Sequence, residues 1–154
     1  MKRHPALQDL SRDHHVALLH ARRLRGEDAR MGLPEARRRF FLYHAGILRH
    51  HFTEEELALL PVLRDTTLRE RFLREHRELE DAAVRLPNES DTFQRNLGER
   101  LRAHVRFEED ELFPALQASL AAAEWEALAE RANGYRLQHR PGSIGPGAAE
   151  QCFL

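Results

Sequence analysis

A His-x-x-x-Glu motif occurs twice in this chain, and each copy has a proline ten residues after its histidine. The two copies are His51, Glu55 and Pro61, and His104, Glu108 and Pro114. Side chains four residues apart on a helix lie on one face, about one turn from each other. Each copy can therefore present an imidazole nitrogen and a carboxylate oxygen to the same ion. The repeat predicts a metal-binding cage made from two half-sites.

The charge balance of the chain argues against a nucleic-acid partner. Its 24 Lys and Arg residues and 25 Asp and Glu residues leave a formal net charge of -1, whereas nucleic-acid-binding domains carry a basic excess. No apolar run approaches the roughly 20 residues that a membrane helix needs, and the first residues form no signal-peptide core. We therefore expect a soluble, cytoplasmic protein with no nucleic-acid and no membrane partner. The sequence makes no prediction about oligomeric state.

Apolar residues recur at three- and four-residue steps in four stretches, which predicts four amphipathic helices. The stretches run from about residue 5 to 25, 34 to 62, 66 to 86 and 91 to 115. Each apolar stripe is interrupted by a histidine, and the four histidines are His14, His51, His76 and His104. Short connections between such helices favour an all-α, up-down-up-down four-helix bundle, in which inward side chains of facing helices can build a metal site.

Local residues predict where these helices begin and end. Gly26 ends the first helix, and Asp65 or Thr66 caps the third. Asp91, with Gln94 three residues later, resembles a capping box at the start of the fourth. The proline of each half-site removes an amide donor, which predicts either a bend or a helix-to-loop transition just beyond that half-site.

The C-terminal part of the chain is predicted to be less regular than the bundle. A short extra helix near residues 120–132, closed by Asn133-Gly134, would cover one end of the bundle with Trp125. The sequence that follows is rich in proline and glycine and indicates an irregular tail. We therefore predict a metal-binding domain in residues 1–139 and a tail in residues 140–154.

The inner faces of the four helices would bring six potential metal ligands together. They are His14, His51, Glu55, His76, His104 and Glu108. Buried carboxylates and imidazolium groups lose hydration worth several kcal/mol each, so a cluster of them needs a positive ion. The single cysteine, Cys152, leaves no paired thiolates for a zinc finger, an iron-sulfur cluster or a copper(I) site. Mixed nitrogen and oxygen donors suit iron, manganese or zinc, and two carboxylates able to bridge favour a pair of ions, with dinuclear iron as our first choice.

The order of these motifs resembles the hemerythrin-like, or HHE cation-binding, domain family. The resemblance covers roughly residues 7–125 and rests on two features: an acidic residue before the histidine of the first and third helices, and the His-x-x-x-Glu motifs of the second and fourth. It implies a non-haem di-iron centre bridged by both glutamates and by an oxo or hydroxo group, with an open position for dioxygen or another small molecule. Residue by residue, it implies the same six ligands.

The chain departs from oxygen-carrying hemerythrins in its third helix. Those proteins have two histidines one turn apart there, whereas here Phe72 lies four residues before His76 and Glu80 lies four after it. The resemblance therefore favours sensing, iron handling or nitric-oxide-related repair over reversible oxygen transport. His44, two turns before His51 on the same stripe, is a candidate replacement for the absent histidine.

Several other residues compete with these assignments or support them. His15 is an alternative to His14, and His44 and Glu80 fit a supporting or core role better than ligation. Acidic residues beside the half-sites are expected to face solvent or to orient the ligating histidines through their second nitrogen, and they are Glu54, Glu56, Glu109, Asp110 and Glu111. The histidines without a repeat partner are expected at the surface, and they are His4, His20, His50 and His139.

Two functional classes fit this sequence. The first is a metal-dependent binding or sensing protein, whose partners would be metal ions and a small diatomic or peroxide ligand, or a protein that handles iron. The second is a structural or partner-binding bundle with a vestigial site. A peroxide- or oxygen-reactive di-iron enzyme ranks third, because no separate nucleophile, acid-base dyad or phosphate loop accompanies the site. We expect iron to be lost as the pH falls below about 6, where protons compete for the imidazoles.

Overall fold

The computed structural model describes residues 2–139, and within that range the chain forms helices joined by short turns, with no strand. The helices are α1 (Gln8–Leu24), α2 (Leu33–Tyr43), α3 (Arg49–Leu59), α4 (Thr66–Arg85), α5 (Asp91–Phe107), α6 (Phe113–Ser119) and α7 (Ala122–His139). The all-α bundle prediction is confirmed. None of these helices is long and apolar enough to cross a membrane. The predicted tail, with Cys152, lies outside the described residues.

Two π-helical turns join consecutive helices into the longer bundle helices. The turn His44–Leu48 connects α2 to α3, and the turn Glu108–Leu112 connects α5 to α6. The bundle therefore consists of α1, the continuous α2–α3 helix, α4 and the continuous α5–α6 helix. Each π turn lies close to a half-site: the first precedes His51, and the second begins at the ligand candidate Glu108 itself.

The two repeated prolines have different structural consequences. Pro61 lies in the turn that follows α3, so the first half-site ends in a helix-to-loop transition. Pro114 lies in the first turn of α6, directly after the π turn, and the helix continues past it. Because proline has no amide hydrogen, the carbonyl of Glu109 five residues earlier is free of its π-helical partner. Arg3 donates to that carbonyl, with Nη2 and the oxygen 2.9 Å apart.

The ends of α1 and α4 follow the predicted chemistry. The chain leaves α1 through Gly26, whose φ of 75° is a left-handed conformation that glycine adopts without steric cost. Asp65 caps α4, because its side chain accepts a hydrogen bond from the amide of Leu68 at 3.0 Å. Both of these predictions are confirmed.

The start of α5 differs from the predicted capping box. Ser90 is the N-cap, and its hydroxyl accepts a hydrogen bond from the amide of Phe93 at 3.1 Å. Asp91 is therefore already inside the helix. Gln94 is buried and donates to the carbonyl of Leu33 at 3.0 Å, which ties α5 to the start of α2. The capping-box prediction was wrong because the helix begins one residue earlier, which places Phe93 and not Gln94 three residues after the N-cap.

A polar layer divides the apolar core of the bundle into two clusters. One cluster contains residues from one end of the bundle, among them Ala17, Leu24, Phe40, Leu79, Leu97 and Leu101. The other contains residues from the opposite end, among them Leu10, Leu59, Phe72, Leu112, Phe113 and Trp125. Along each bundle helix, the inward side chains belong to one cluster on one side of the histidine or glutamate and to the other cluster on its other side. The fold therefore places every predicted ligand between two water-excluding apolar layers.

Helix α7 covers the end of the bundle that contains the second apolar cluster. Trp125 packs into that cluster, as predicted, and Leu128 packs there as well. The helix continues through Asn133-Gly134 and ends at His139, so the predicted end was wrong. Asn and Gly are weak helix formers, but tertiary contacts override that preference when a later part of the helix is docked. Arg136 provides such a contact, because it is buried against the bundle.

Candidate metal centre

All six predicted ligands lie in the polar layer, and each is at most 3% exposed. They are His14, His51, Glu55, His76, His104 and Glu108. Their donor atoms form two groups, and within each group the atoms lie within 4.8 Å of one another. The His51 side consists of His14 and His51 with both glutamates, and the His76 side consists of His76 and His104 with the same two glutamates. The structure therefore brings all six together in an arrangement suited to two ions.

The two glutamates belong to both groups because each directs its two oxygens to different histidines. Oε1 of Glu55 lies 3.1 Å from Nε2 of His51, and Oε2 lies 3.4 Å from Nε2 of His76. Oε2 of Glu108 lies 3.0 Å from Nε2 of His14, and Oε1 lies 3.0 Å from Nε2 of His104. A carboxylate that presents one oxygen to each side can bridge a pair of ions.

The second nitrogen of each histidine faces another carboxylate. The Nδ1-to-oxygen distances are 2.6 Å for His14 and Glu109, 3.3 Å for His51 and Asp13, 2.8 Å for His76 and Glu56, and 2.9 Å for His104 and Glu75. Such contacts fix the orientation of the ring and leave Nε2 as the nitrogen that could bind a metal ion. The expected orienting role of Glu56 and Glu109 agrees with this geometry, while Asp110 and Glu111 are exposed. The expectation for Glu54 was wrong, because this residue is buried and its carboxylate faces an arginine of α7.

These supporting carboxylates follow the duplication of the half-sites. The acidic residue before the histidine of α1, Asp13, supports the histidine of α3, and Glu75 of α4 supports the histidine of α5 in the same way. The glutamates that directly follow Glu55 and Glu108 support the other two histidines. Glu56 contacts the histidine of α4, and Glu109 contacts the histidine of α1. The acidic residue before a histidine therefore serves the neighbouring helix, a relation that sequence periodicity did not predict.

Three of these four carboxylates also contact an arginine side chain. Arg3 contacts Glu109, and Arg71 donates to Glu75 with 2.7 Å between Nε and Oε1. The third arginine is buried on α7 and contacts Asp13 at 2.8 Å. Among residues 2–139 no arginine pairs with Glu56, whose side chain is 37% exposed. The sequence analysis did not identify these arginines, because their positions depend on which helices become neighbours.

The charges of the cluster shift the pKa values of its members in opposite directions. Burial lowers the pKa of His51, but the charges of Glu55 and Asp13 outweigh burial and raise this pKa to about 9. Burial raises the pKa of Glu108, but the charge of His104 outweighs it and holds this pKa well below its usual value. The other histidines with raised pKa values are His14, His76 and His104. Protons on the imidazoles balance the carboxylates in the metal-free protein, so protons and a metal cation compete for the same atoms.

The donor set fits a pair of metal ions because several of its buried atoms, although 3.0 to 3.4 Å from an oppositely charged group, make no well-directed hydrogen bond among residues 2–139. These atoms are Nε2 of His14, His76 and His104 and both oxygens of Glu55 and Glu108. Unpartnered buried polar atoms are rare and costly in folded proteins. Here they converge on two points, so a cation at each point would satisfy them together. Their nitrogen and oxygen chemistry suits iron, manganese or zinc.

The competing assignments are separated by burial and distance. His15 is exposed, so His14 is the histidine that α1 contributes to the layer. His44 is buried, but its Nε2 faces Glu80 at 3.4 Å, and neither residue belongs to a donor group among the described residues. Phe72, in the place of the absent second histidine, is fully buried with its ring 4.2 Å from that of His76.

The histidines predicted at the surface differ in burial. His139 is exposed, and His50 is partly buried with Nδ1 2.9 Å from the hydroxyl of Tyr135. His20 is fully buried and stacks on Tyr43 with 4.2 Å between ring centroids, so its surface prediction was wrong. The Tyr43 ring of α2 accounts for this burial, because two stacked flat rings cover each other's apolar faces.

A surface cavity reaches the His76 side of the centre. Its volume is about 540 Å³, and its lining includes His76, Glu56, Phe52, Arg77 and Glu80. The ring of Phe52 stacks on that of His76 at 4.3 Å between centroids, so an apolar ring separates the cavity from part of the polar layer. The cavity brings open space up to the His76 edge of the centre.

Comparison with known families agrees with the geometry. Residues 5–116 match the model of the hemerythrin HHE cation binding domain, and this match covers more than two thirds of the chain. The chain belongs to this family. It matches no curated protein and no solved structure to a significant degree. The family match includes every predicted ligand of the HHE domain and ends before α7 begins.

Proposed function

We propose that this hemerythrin HHE domain holds two iron ions, one on the His51 side and one on the His76 side. The observation that carries the proposal is the placement of Glu55 and Glu108, each of which presents one oxygen to each side. Each ion would receive two imidazole nitrogens and two carboxylate oxygens from the chain, which leaves positions open for a small ligand. Manganese and zinc are the alternatives to iron.

The proposed role is to bind or sense dioxygen, nitric oxide or peroxide, or to handle iron. When bound, iron would supply a redox-active centre with open coordination positions. The residues of the chain would hold the ions, orient the imidazoles through Nδ1 and exclude bulk water with the two apolar clusters. The cavity beside His76 would admit the small ligand. A cytoplasmic location and the absence of a nucleic-acid partner remain predictions from the sequence.

The unpartnered donor atoms favour this role over a vestigial site. A bundle that no longer binds metal would keep six buried polar side chains in its core at a cost in stability. The carboxylates nearest the donor set each face a histidine Nδ1, which is a role in holding the site, so we place enzymatic turnover behind binding and sensing.

Metal analysis with spectroscopy tests the proposal. The protein would be loaded with ferrous iron without oxygen, freed of excess metal, and assayed for iron, manganese and zinc per chain. Optical spectra would then be recorded before and after dioxygen, nitric oxide or peroxide is added. We expect two irons per chain and a spectral change with at least one of these molecules. A protein that retains no iron would contradict the proposal. Retained iron without a spectral response to any of these molecules would contradict a binding or sensing role and favour iron handling.

The exposed residue His15 provides a matched control for this experiment. His14→Ala removes a proposed ligand, whereas His15→Ala removes the adjacent exposed imidazole from the same helix turn. We expect the first variant to bind less iron and the second to bind as much as the wild type. Equal iron content in the two variants would contradict the assignment of His14.

A further inference from the structure

Helix α7 lies outside the region that matches the HHE domain, yet it contributes a side chain to the surroundings of the metal centre. The match ends at residue 116, whereas α7 begins at Ala122. Arg136, near the end of α7, is only 5% exposed, and Leu137 beside it is 62% exposed. A charged residue is rarely buried to this extent unless it is paired. The guanidinium of Arg136 therefore has a specific place in the bundle.

The guanidinium of Arg136 joins two other helices through their carboxylates. Its Nε donates to Oε1 of Glu54 on α3 at 3.0 Å, and Glu54 is 1% exposed. Its Nη2 donates to Oδ2 of Asp13 on α1 at 2.8 Å. The planar guanidinium holds both carboxylates in fixed directions, because its donors form a rigid fork.

The same oxygen of Asp13 that accepts from Arg136 also faces a proposed metal ligand. Oδ2 of Asp13 lies 3.3 Å from Nδ1 of His51. This distance is the longest of the four between a histidine Nδ1 and its supporting carboxylate, the others being 2.6 to 2.9 Å. A carboxylate shared in this way has its position set by the guanidinium as well as by the imidazole. Movement of Arg136 would therefore change the support of the His51 ring.

We propose that Arg136 is a positioning residue for the metal centre: it holds Asp13 in place, fixes the orientation of His51 and so couples the docking of α7 to metal retention on the His51 side. The proposal rests on the proposed function, since it assumes that His51 binds metal. Residues that support a metal ligand in this way typically affect metal affinity by about 10- to 100-fold when they are removed.

Arg131 provides a matched control on the same helix. It also docks α7 against α3, with Nε 3.2 Å from the carbonyl of Leu57 and Nη2 2.8 Å from that of Ala58. Arg131 contacts carbonyl oxygens, and the hydrogen bonds of its side chain reach neither Asp13 nor Glu54. Loss of Arg131 therefore tests helix docking, whereas loss of Arg136 tests docking together with the position of Asp13.

The experiment compares iron release from Arg136→Met, Arg136→Lys and Arg131→Met with release from the wild type. A chelator would be added to the iron-loaded full chain and the loss of each iron followed by absorbance. We expect the iron on the His51 side to be the more slowly released one in the wild type. Arg136→Met should lose this iron at least about tenfold faster than the wild type does. Arg136→Lys should recover part of that loss, and Arg131→Met should stay within about twofold of the wild type. Equal rates for Arg136→Met and Arg131→Met would overturn the positioning role.

A second variant and a measurement on the metal-free protein distinguish a loss of positioning from a loss of folding. Arg136→Met removes the guanidinium that faces the buried carboxylate of Glu54, so a second variant, Arg136→Met with Glu54→Gln, removes that carboxylate charge as well. In the metal-free protein, the ring nitrogen resonances of His51 should move in this double variant more than those of His76. Unmoved His51 resonances would overturn the proposal. A wild type that binds no iron would instead overturn the proposed function, and the metal-free resonances would then decide the positioning role.

Discussion

The His51 side and the His76 side of the centre have equivalent donors but different surroundings. Behind His51, the carboxylate of Asp13 is held by the buried Arg136 of α7. Behind His76, the supporting Glu56 is 37% exposed, and a cavity of about 540 Å³ reaches the imidazole. A duplicated half-site can therefore provide two similar donor sets with unequal access to solvent. We expect the ion on the His76 side to exchange ligands more readily than the ion on the His51 side.

The largest effect is expected when the feature common to both sides is removed. Glu55→Gln with Glu108→Gln replaces both shared carboxylates by neutral amides, so both ions should be lost. Metal content per chain measures this loss, and circular dichroism shows whether the helices persist. The control variant is Asp110→Asn with Glu111→Gln, which changes two exposed acidic residues next to the site. Two irons retained in the Glu55 and Glu108 variant would show that these carboxylates do not bind metal.

The next effect separates the two sides. His51→Ala removes a donor from one side, and His104→Ala removes one from the other. Each single variant should keep about one iron per chain, because the opposite side retains both of its histidines. The double variant should bind no metal while its helix content persists. Full iron occupancy in the double variant would overturn the ligand assignment.

A smaller difference should appear when the supporting carboxylates of the two sides are compared. Asp13→Asn should weaken iron binding by about 10- to 100-fold, because it disturbs a buried contact and leaves Arg136 with one carboxylate fewer. Glu56→Gln should weaken binding less, since water in the cavity can accept the hydrogen bond from His76. Competition titration with a chelator measures both affinities. A larger loss for Glu56→Gln would reverse the proposed difference between the sides.

The smallest effect concerns the stability of the metal-free protein as the pH changes. The pKa of His51 is raised from 6.5 to about 9, so its stabilising effect is complete below pH 6.5 and is lost as the pH rises to 9. The lowered pKa of Glu108 has its effect in the acid range. The contribution of this carboxylate to stability is complete above pH 4.5 and is lost as the pH falls. The metal-free protein should therefore have its highest melting temperature between about pH 4.5 and 6.5.

The stabilisation that iron provides should instead increase as the pH rises above that range. Iron must displace protons from the imidazoles. The apparent affinity for iron should therefore fall about tenfold for each unit by which the pH is lowered, for each proton displaced. Because the pKa of His51 is about 9 in the metal-free protein, this competition should begin well above the value of about 6 expected from the sequence. The gap between the loaded and metal-free melting temperatures should widen from pH 6 to pH 9. A constant gap would show that these imidazoles do not exchange protons for metal.

The sequence predicted which histidines and glutamates face the polar layer, because periodicity determines which residues share a helix face. His14 was separated from its neighbour His15 by the repeat with His76, and the structure buries His14 and exposes His15. The bundle followed from the same reasoning, since four apolar stripes with short connections have few ways to pack. The boundary cues at Gly26 and Asp65 were also reliable, because they depend only on local backbone chemistry.

Features that depend on contacts between helices were not predicted. Nothing in the sequence indicated that Asp13, next to His14, would support His51 on another helix, or that Arg136 would donate to Asp13. Periodicity identifies the inner face of a helix but not the residue opposite it on a neighbouring helix. The burial of His20 and the length of α7 were missed for the same reason: both depend on partners that are distant in the sequence.

The number of metal ions bound per chain tests the central claim most directly. Wild-type protein loaded with iron under anaerobic conditions and freed of excess metal should contain two irons per chain, because Glu55 and Glu108 each serve both sides. One iron per chain would show that the two sides do not form a paired centre. A protein with no bound metal would contradict the account as a whole.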